Sequence, residues 1–234
     1  KIMFFLKKNY LIKNNFIPKN ILSNFEIELN LIVNKIIKNN KLPVSKKCSI
    51  NLKLMSLEEI NHKYISEIYS KIKDSKFFKQ LLNNRSLINF IKKTLHGEFK
   101  NHTKAVRIDL ANNTNWNLTW HQEASYNPPE KNVTFVYVWF PLLNPNDKYL
   151  GGLDIINRFN KSAYNYKIVK KTNSQLQREP IKKIKRNDKD IKEVRLKLGD
   201  ILVFDQHLFH RSVTNFSHKA KLSCVLSFKS VIKN

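Results

Sequence analysis

Four glycines and two cysteines in 234 residues exclude several classes of protein at the outset. With so little glycine, neither GxGxxG nor GxxxxGK[ST] occurs, so the phosphate-cradling turns of nucleotide-binding folds have no signature. Cys48 and Cys224 lie far apart and form no CxxC pair. That excludes a disulfide scaffold and a cysteine-based zinc module, and it fits a reducing compartment. No apolar run approaches the roughly 20 residues a membrane-spanning helix needs. The apolar stretch at the start, Ile2 to Leu6, is too short for a signal-peptide core, and no small-residue cleavage site follows it. The sequence therefore predicts a cytoplasmic location and no membrane span.

Acidic residues are also scarce: 18 Asp and Glu stand against 43 Lys and Arg, a formal net charge of +25. Such a charge suits a partner of opposite sign, nucleic acid above all. Its make-up weakens that reading. Of the 43 cations 36 are Lys and only seven Arg, and they are spread along the chain instead of massed in one tail. Lys, Asn and Ile, all abundant here, share A/T-rich codons, so nucleic acid is disfavoured as a partner. What the chain does have is apolar and aromatic material, 41% hydrophobic with 15 Phe, 8 Tyr and 3 Trp. A chain of this length buries about 70% of its unfolded surface and needs no staple.

The first part reads as helical. Ile21 to Ile37 forms one candidate. Ser56-Leu57-Glu58-Glu59 has the form of a capping box, followed by Leu57, Ile60, Tyr64, Ile68 and Ile72 at helical spacing. Asp74-Ser75 can start a helix through Phe77, Phe78, Leu81 and Leu82. Ser86 can cap another through Leu87, Phe90 and Ile91, with Gly97 as its stop. Beyond Gly97 the period changes. Val106, Ile108 and Leu110 alternate with Arg107 and Asp109, and Val133 to Phe140 is β-branched and aromatic throughout, as in a strand buried on both faces. Residues 152–156, 201–204 and 221–228 read as further strands, and the lysine-rich stretch 161–195 as a long excursion. The expected architecture is a helical region over 1–97 and a β sandwich or barrel over 98–234, together one integrated domain.

The chemistry centres on Trp120-His121-Gln122-Glu123. On a strand, side chains two apart share a face, so His121 and Glu123 can grip one cation together. A second histidine from elsewhere would complete a two-histidine, one-carboxylate triad that leaves three adjacent positions open on iron. Further on come Val136-Tyr137-Val138-Trp139-Phe140-Pro141-Leu142, Gly151-Gly152-Leu153 and Gly199-Asp200, then His210-Arg211-Ser212-Val213-Thr214-Asn215-Phe216-Ser217, and Lys221 eleven positions after His210. In this order the residues resemble the phytanoyl-CoA dioxygenase family of iron(II)- and 2-oxoglutarate-dependent oxygenases. That family shows a WHQD-like motif, a VxxW-P-L strand, a Gly-[Gly/Ala/Cys]-Leu turn, a GD…F strand and HRSxxNxS before a basic residue. The resemblance covers roughly residues 100 to 230.

The resemblance implies a mainly β (α+β) fold, a double-stranded β-helix (jelly roll, cupin-like) with N-terminal helices packed against it. It implies that His121, Glu123 and His210 hold iron(II). Lys221 would hold the far carboxylate of 2-oxoglutarate, with a hydroxyl from Ser212 or Ser223 and with Trp139 lining the pocket. Lys221 and Ser223 share strand parity, and a buried ammonium needs an anion, which a dicarboxylate would supply. Cys224, of opposite parity, is expected to face the helices. Arg107, Tyr126 and Arg158 are candidates for substrate contact, though Arg107 and Asp109 could equally form a mutual ion pair, and Trp116 flanks the same motif. His207 is the alternative to His210 as ligand, but only His210 opens the HRS run. His62, His96, His102 and His218 read as solvated or satisfied.

The sequence departs from the family pattern at three places. Glu123 stands where Asp is usual, Lys221 where Arg is commoner, and Asn157-Arg158-Phe159-Asn160-Lys161 where Gly-Ser-His-Lys often follows the glycine turn. A carboxylate at 123 favours hydroxylation over halogenation. The expected activity is thus a dioxygenase that hydroxylates an unactivated C–H bond of a small molecule, consuming O2 and 2-oxoglutarate and releasing succinate and CO2. A non-catalytic basic binding protein on the same fold and a nucleic-acid-directed oxygenase are the alternatives.

Overall fold

The computed structural model describes residues 8–113, 117–143, 147–158, 162–172, 175–182 and 189–230. Among them a short strand, β1 (Tyr10–Lys13), precedes five helices: α1 (Lys19–Asn39), α2 (Ile50–Ile60), α3 (Lys63–Ile72), α4 (Lys76–Leu82) and α5 (Arg85–Leu95). Apolar spacing builds each helix. In α1 the buried Ile21, Phe25, Leu29, Val33 and Ile37 recur every fourth residue and make one stripe. In α3 Tyr64, Ile68 and Ile72 do the same.

Caps place the helix boundaries differently from the sequence expectation. Ser56 lies inside α2, whose cap is Ser49, accepting from Leu52 N at 3.4 Å. The periodic run through Ile72 is broken at Asn61, which is extended (φ −171°) and whose Oδ1 accepts from Lys63 N at 2.9 Å. A short amide side chain that satisfies the next turn's N–H offers the backbone an alternative to a continuous helix. Asn84, not Ser86, caps α5, accepting from Leu87 N at 3.0 Å. The helix ends on His96 in the left-handed region (φ 57°), one residue ahead of Gly97. Ser75 caps α4 as expected, and the Glu28 carboxylate on α1 accepts from Lys76 N and Phe77 N at 2.7 and 2.9 Å, tying the two helices together.

The strands that follow are β2 (Phe99–Asp109), β3 (Phe135–Leu143), β4 (Leu153–Ile156), β5 (Tyr166–Thr172), β6 (Gln175–Pro180), β7 (Ile191–Val194), β8 (Ile201–Asp205), β9 (His210–Ser212) and β10 (Lys221–Ser230). They form a five-stranded sheet in the order β1-β8-β3-β10-β2, a three-stranded sheet β7-β4-β9, and the hairpin β5-β6, all with antiparallel pairing. The region 161–195 is therefore not a plain excursion: it carries a hairpin and the edge strand of the smaller sheet.

Side-chain alternation divides the larger sheet into two faces. Val106, Ile108, Val138, Phe140, Val203, Leu222, Cys224 and Leu226 pack against the helices in one apolar cluster. Cys224 thus faces the helical layer as expected. Tyr137, Trp139, Leu202 and Phe204 point the other way and meet Leu153, Ile155 and Val194 of the smaller sheet. This is the two-layer sandwich of a double-stranded β-helix. The fully buried β3 serves both faces. Its Pro141, which has no N–H for the ladder, sits where the β3–β10 register shifts, between Leu222 and Ser223.

Candidate metal centre

The two histidines are brought together by backbone pairing. His121 forms an isolated antiparallel bridge with His210 at the start of β9, donating its N–H to the His210 carbonyl at 3.0 Å and receiving one back at 3.1 Å. Glu123 does not continue a strand, as the sequence reading assumed; it opens a short 3-10 turn, Glu123–Ser125, anchored by Ala124 N donating to Gln206 O at 2.8 Å. The turn and the longer glutamate side chain still bring the carboxylate back to the histidines. Glu123 Oε1 lies 3.8 Å from His121 Nε2 and 3.6 Å from His210 Nε2. One ligand atom from each residue falls within 4.8 Å of the other two, a set that can hold a metal ion.

Both imidazoles are oriented from behind. His121 Nδ1 lies 2.7 Å from the Thr119 carbonyl and His210 Nδ1 3.1 Å from the Leu208 carbonyl. Backbone acceptors at Nδ1 require the proton there, which leaves the Nε2 lone pairs facing Glu123. Burial holds the His121 pKa below its ordinary value, and the neighbouring His210 lowers it further. For Glu123, burial alone would raise the pKa, but the two neighbouring imidazoles outweigh it and hold the carboxyl well below the usual range. Two neutral imidazoles and one carboxylate are the donor chemistry that iron(II) accepts while keeping open positions. The residues present fit that ion.

The cluster opens into a cavity of about 170 Å³ between the two sheets. Trp139, Ser212, Lys221, Ser223 and Arg107 all line it, as do Asp109, Phe204 and Leu153. Ser212 accepts from Leu118 N at 3.3 Å and keeps its own proton to donate. The buried ammonium of Lys221 is not left to find its anion in a ligand. It lies 3.1 Å from Asp109 Oδ2 and donates to the Val213 carbonyl at 3.1 Å. Asp109 is its register partner on β2, so the aspartate meets Lys221 across the two strands.

The remaining candidates lie elsewhere. Arg158 is largely exposed and pairs with Asp190 at 2.9 Å, outside the residues lining the cavity. Tyr126 stands edge-on to His121, ring centroids 5.9 Å apart, and its hydroxyl accepts from Arg178 N at 3.0 Å. Trp116 lies outside the described residues. His207 is not in the cluster; its carbonyl accepts from Gln122 at 2.6 Å. Sequence reasoning missed the β5-β6 hairpin as a support of the metal centre. The buried Gln177 donates to Asn117 O at 2.9 Å and accepts from Thr119 Oγ1 at 3.0 Å. Arg178 donates to the Ser125 carbonyl and lies over the Tyr126 ring at 5.4 Å. Lysine-rich flanks hid these two residues, and no local pattern marks them.

Fold and cluster together define a non-haem, metal-dependent oxygenase of the jelly-roll class, and the comparisons agree. The phytanoyl-CoA dioxygenase (PhyH) family model matches residues 75–223. The chain belongs to that family, and it is an oxidoreductase of the 2-oxoglutarate-dependent class, whose members use iron and 2-oxoglutarate. None of the curated proteins matches the sequence. Among solved structures the chain is similar to the non-heme monooxygenase ThoJ in its apo form, at 12% identity and a TM-score of 0.63, covering 97% of this chain and 77% of that one. It is similar to the epimerase SnoN in complex with Fe3+, alpha ketoglutarate and nogalamycin RO, at 10% identity and a TM-score of 0.61, covering 97% and 81%. EctD from S. alaskensis in its apoform matches at 14% identity and a TM-score of 0.61, covering 98% and 75%. At such identities the likeness speaks for the fold. No helix among the described residues is long and apolar enough to cross a membrane.

Proposed function

We propose that the protein hydroxylates an unactivated C–H bond of a small molecule, using iron(II), 2-oxoglutarate and O2 and releasing succinate and CO2. The observation that carries the reading is the convergence of His121, Glu123 and His210 beside a cavity that Lys221, Ser212 and Ser223 also line. Bound iron(II) would supply a site where the keto acid chelates and dioxygen is reduced, giving an oxidant strong enough for an unactivated C–H bond. His121, Glu123 and His210 would hold the ion by their Nε2, Oε and Nε2 atoms. The carbonyls of Thr119 and Leu208 keep both imidazoles in the ligating tautomer. Lys221 has three donors, two of which already reach Val213 and Asp109, so one remains for a carboxylate. Ser212 and Ser223 add hydroxyl donors, and Trp139 and Phe204 exclude water from the space between.

The test is anaerobic. Iron(II) and then 2-oxoglutarate are added to the purified protein, and the weak visible charge-transfer band of the chelate is sought. The band is expected in the wild type and lost in His210→Ala, while Lys221→Ala should need more 2-oxoglutarate to reach it. A folded, iron-loaded wild type that gives no band would sink the reading. Once the band is established, succinate release and product mass across a panel of small molecules would test for hydroxylation.

A further inference from the structure

We propose that Arg211 is a positioning residue of the metal centre: from the outer face of the smaller sheet it clasps Trp120 to Asp154, and so fixes how closely His121 is held to His210. The inference rests on the metal-site reading above and goes beyond it, giving a role to the residues that flank the two histidines.

The need for a clasp follows from how His121 is attached. His210 belongs to β9, which pairs with β4. His121 lies in no regular strand. Its segment meets β9 by one isolated bridge, with hydrogen bonds of 3.0 and 3.1 Å, and by Ser212 N donating to the Leu118 carbonyl at 2.9 Å. Such N–H to oxygen bonds form at about 2.7–3.2 Å, which leaves roughly 0.5 Å of play. Metal–ligand distances hold to within about 0.2 Å. The backbone alone is therefore too loose to set the gap between the two imidazoles.

Side chains on the reverse face supply the rest. Neighbours along a strand point to opposite sides, so with His121 and His210 turned to the cavity, Trp120 and Arg211 meet on the outside. The Arg211 guanidinium lies over the Trp120 ring, 4.9 Å from its centroid. Its Nε and Nη2 lie 2.8 and 2.7 Å from Asp154 Oδ2. Asp154 is buried and is the register partner of Arg211 on β4. An exposed ion pair by itself stabilises little. Here the carboxylate is buried, and it faces Glu193, its register partner on β7, a like charge. Arg195 takes Glu193 at 2.7 and 2.9 Å, and Arg211 takes Asp154. An arginine anchored in this way presents its planar cation to the indole in one orientation. Trp120 held there carries His121 with it, so contact runs from β4 through β9 to the ligand segment on the side away from the cavity.

The experiment uses cobalt(II), whose visible ligand-field bands report the geometry of its ligands, titrated into the metal-free full chain without oxygen. Wild type should bind it, and His210→Ala should not. Arg211→Gln should raise the cobalt(II) Kd by roughly 10–100-fold, the range for losing a partner behind a metal ligand, and should shift the bands. Arg211→Lys, which keeps a cation over the ring but loses the planar fork, should fall between. Trp120→Leu should act through the same contact, so combining it with Arg211→Gln should weaken binding by no more than about threefold beyond the weaker single variant. Two effects that multiply in full overturn the clasp. A merely structural role would lower the Tm of the metal-free chain and leave the Kd and bands of the folded variants as in wild type, and that result also overturns the proposal. Should Arg211→Gln fail to fold, Asp154→Asn loosens the same clasp from its anchored end and decides by the same Kd and bands. Wild type that binds cobalt(II) no differently from Arg211→Gln overturns this inference alone. Wild type that binds none, or whose binding survives His210→Ala, overturns the metal-site reading together with it.

Discussion

At Glu123 the side chain is one methylene longer than the aspartate its family usually carries, and the backbone there is turned. The residue opens a 3-10 turn instead of extending a strand, and its Oε1 sits within 4 Å of both imidazole Nε2 atoms. Sequence parity put His121 and Glu123 on one side for a reason that does not hold in detail, since only His121 is paired in a bridge. The cluster itself was nonetheless legible, because the HxE and HRS segments supply the residue types that could hold a metal ion, and the structure brings those three together. What the sequence could not reveal was Asp109 as the partner of Lys221, since that contact depends on the register of two strands more than a hundred residues apart. Glu123→Gln keeps the shape and removes the charge. It should weaken metal binding by more than the roughly 10–100-fold typical of losing a partner behind a ligand, and competition against a chromogenic chelator would measure this. Glu123→Asp should retain binding but more weakly, because the shorter side chain must be reached by moving the turn. An affinity unchanged in Glu123→Gln would remove the carboxylate from the metal site.

At the scale of elements, helices and strands were read with unequal success, for physical reasons. Strands were found where both faces are buried or strictly alternate, as in β3 and β10. Missed were β1, a four-residue strand with no alternation strong enough to see, and the hairpin β5-β6. Two of the helix caps, at Ser56 and Ser86, were misplaced because Ser, Asn and Asp compete for the same role within a few residues, and only the backbone decides which wins. Asn84 and Ser86 make the clearest case. Asn84→Ala should lower stability by about 1 kcal/mol through loss of the bond to Leu87 N, while Ser86→Ala, inside the first turn, should change it by no more than about 0.5 kcal/mol. Urea unfolding of the two variants would separate them, and equal losses would mean that the cap lies elsewhere. The hairpin matters for function because Gln177 and Arg178 grip the segment that carries His121 and Glu123. The glycine turn is similarly constrained. A Cβ on Gly152 would run into the Val194 carbonyl, and Gly151 is held at φ +69° against the carbonyls of Val213 and Thr214, so the Gly-Gly-Leu motif sets how closely the smaller sheet can pack on itself.

For the molecule as a whole, one sheet does two jobs with alternate residues. The face of β10 that carries Leu222, Cys224 and Leu226 closes the core against the helices, and the opposite face presents Lys221 and Ser223 to the cavity. Stability and chemistry thus share a strand but not a surface, and the three candidate ligands, drawn from β9 of the smaller sheet and the 121–123 segment that begins in a bridge to it, stand beside the same cavity. Binding an ion there must therefore stabilise the entire sandwich, because the unfolded chain cannot hold three ligands 89 positions apart in one cluster. A ligand that binds only the folded state at 100 times its Kd adds about 2.7 kcal/mol. In a domain of this size that is a rise of roughly 5–10 °C in Tm. Manganese(II), which resists air oxidation, should produce such a shift in the wild type and little or none in His210→Ala, whose loss of one imbedded imidazole removes a ligand without touching the helical core. A further rise on adding 2-oxoglutarate, seen only when the metal is present, would show the two sites acting through one fold. If the metal shifted wild type and His210→Ala equally, it would be binding elsewhere on the chain, and the cluster between the sheets would have to be read as a packed ion pair.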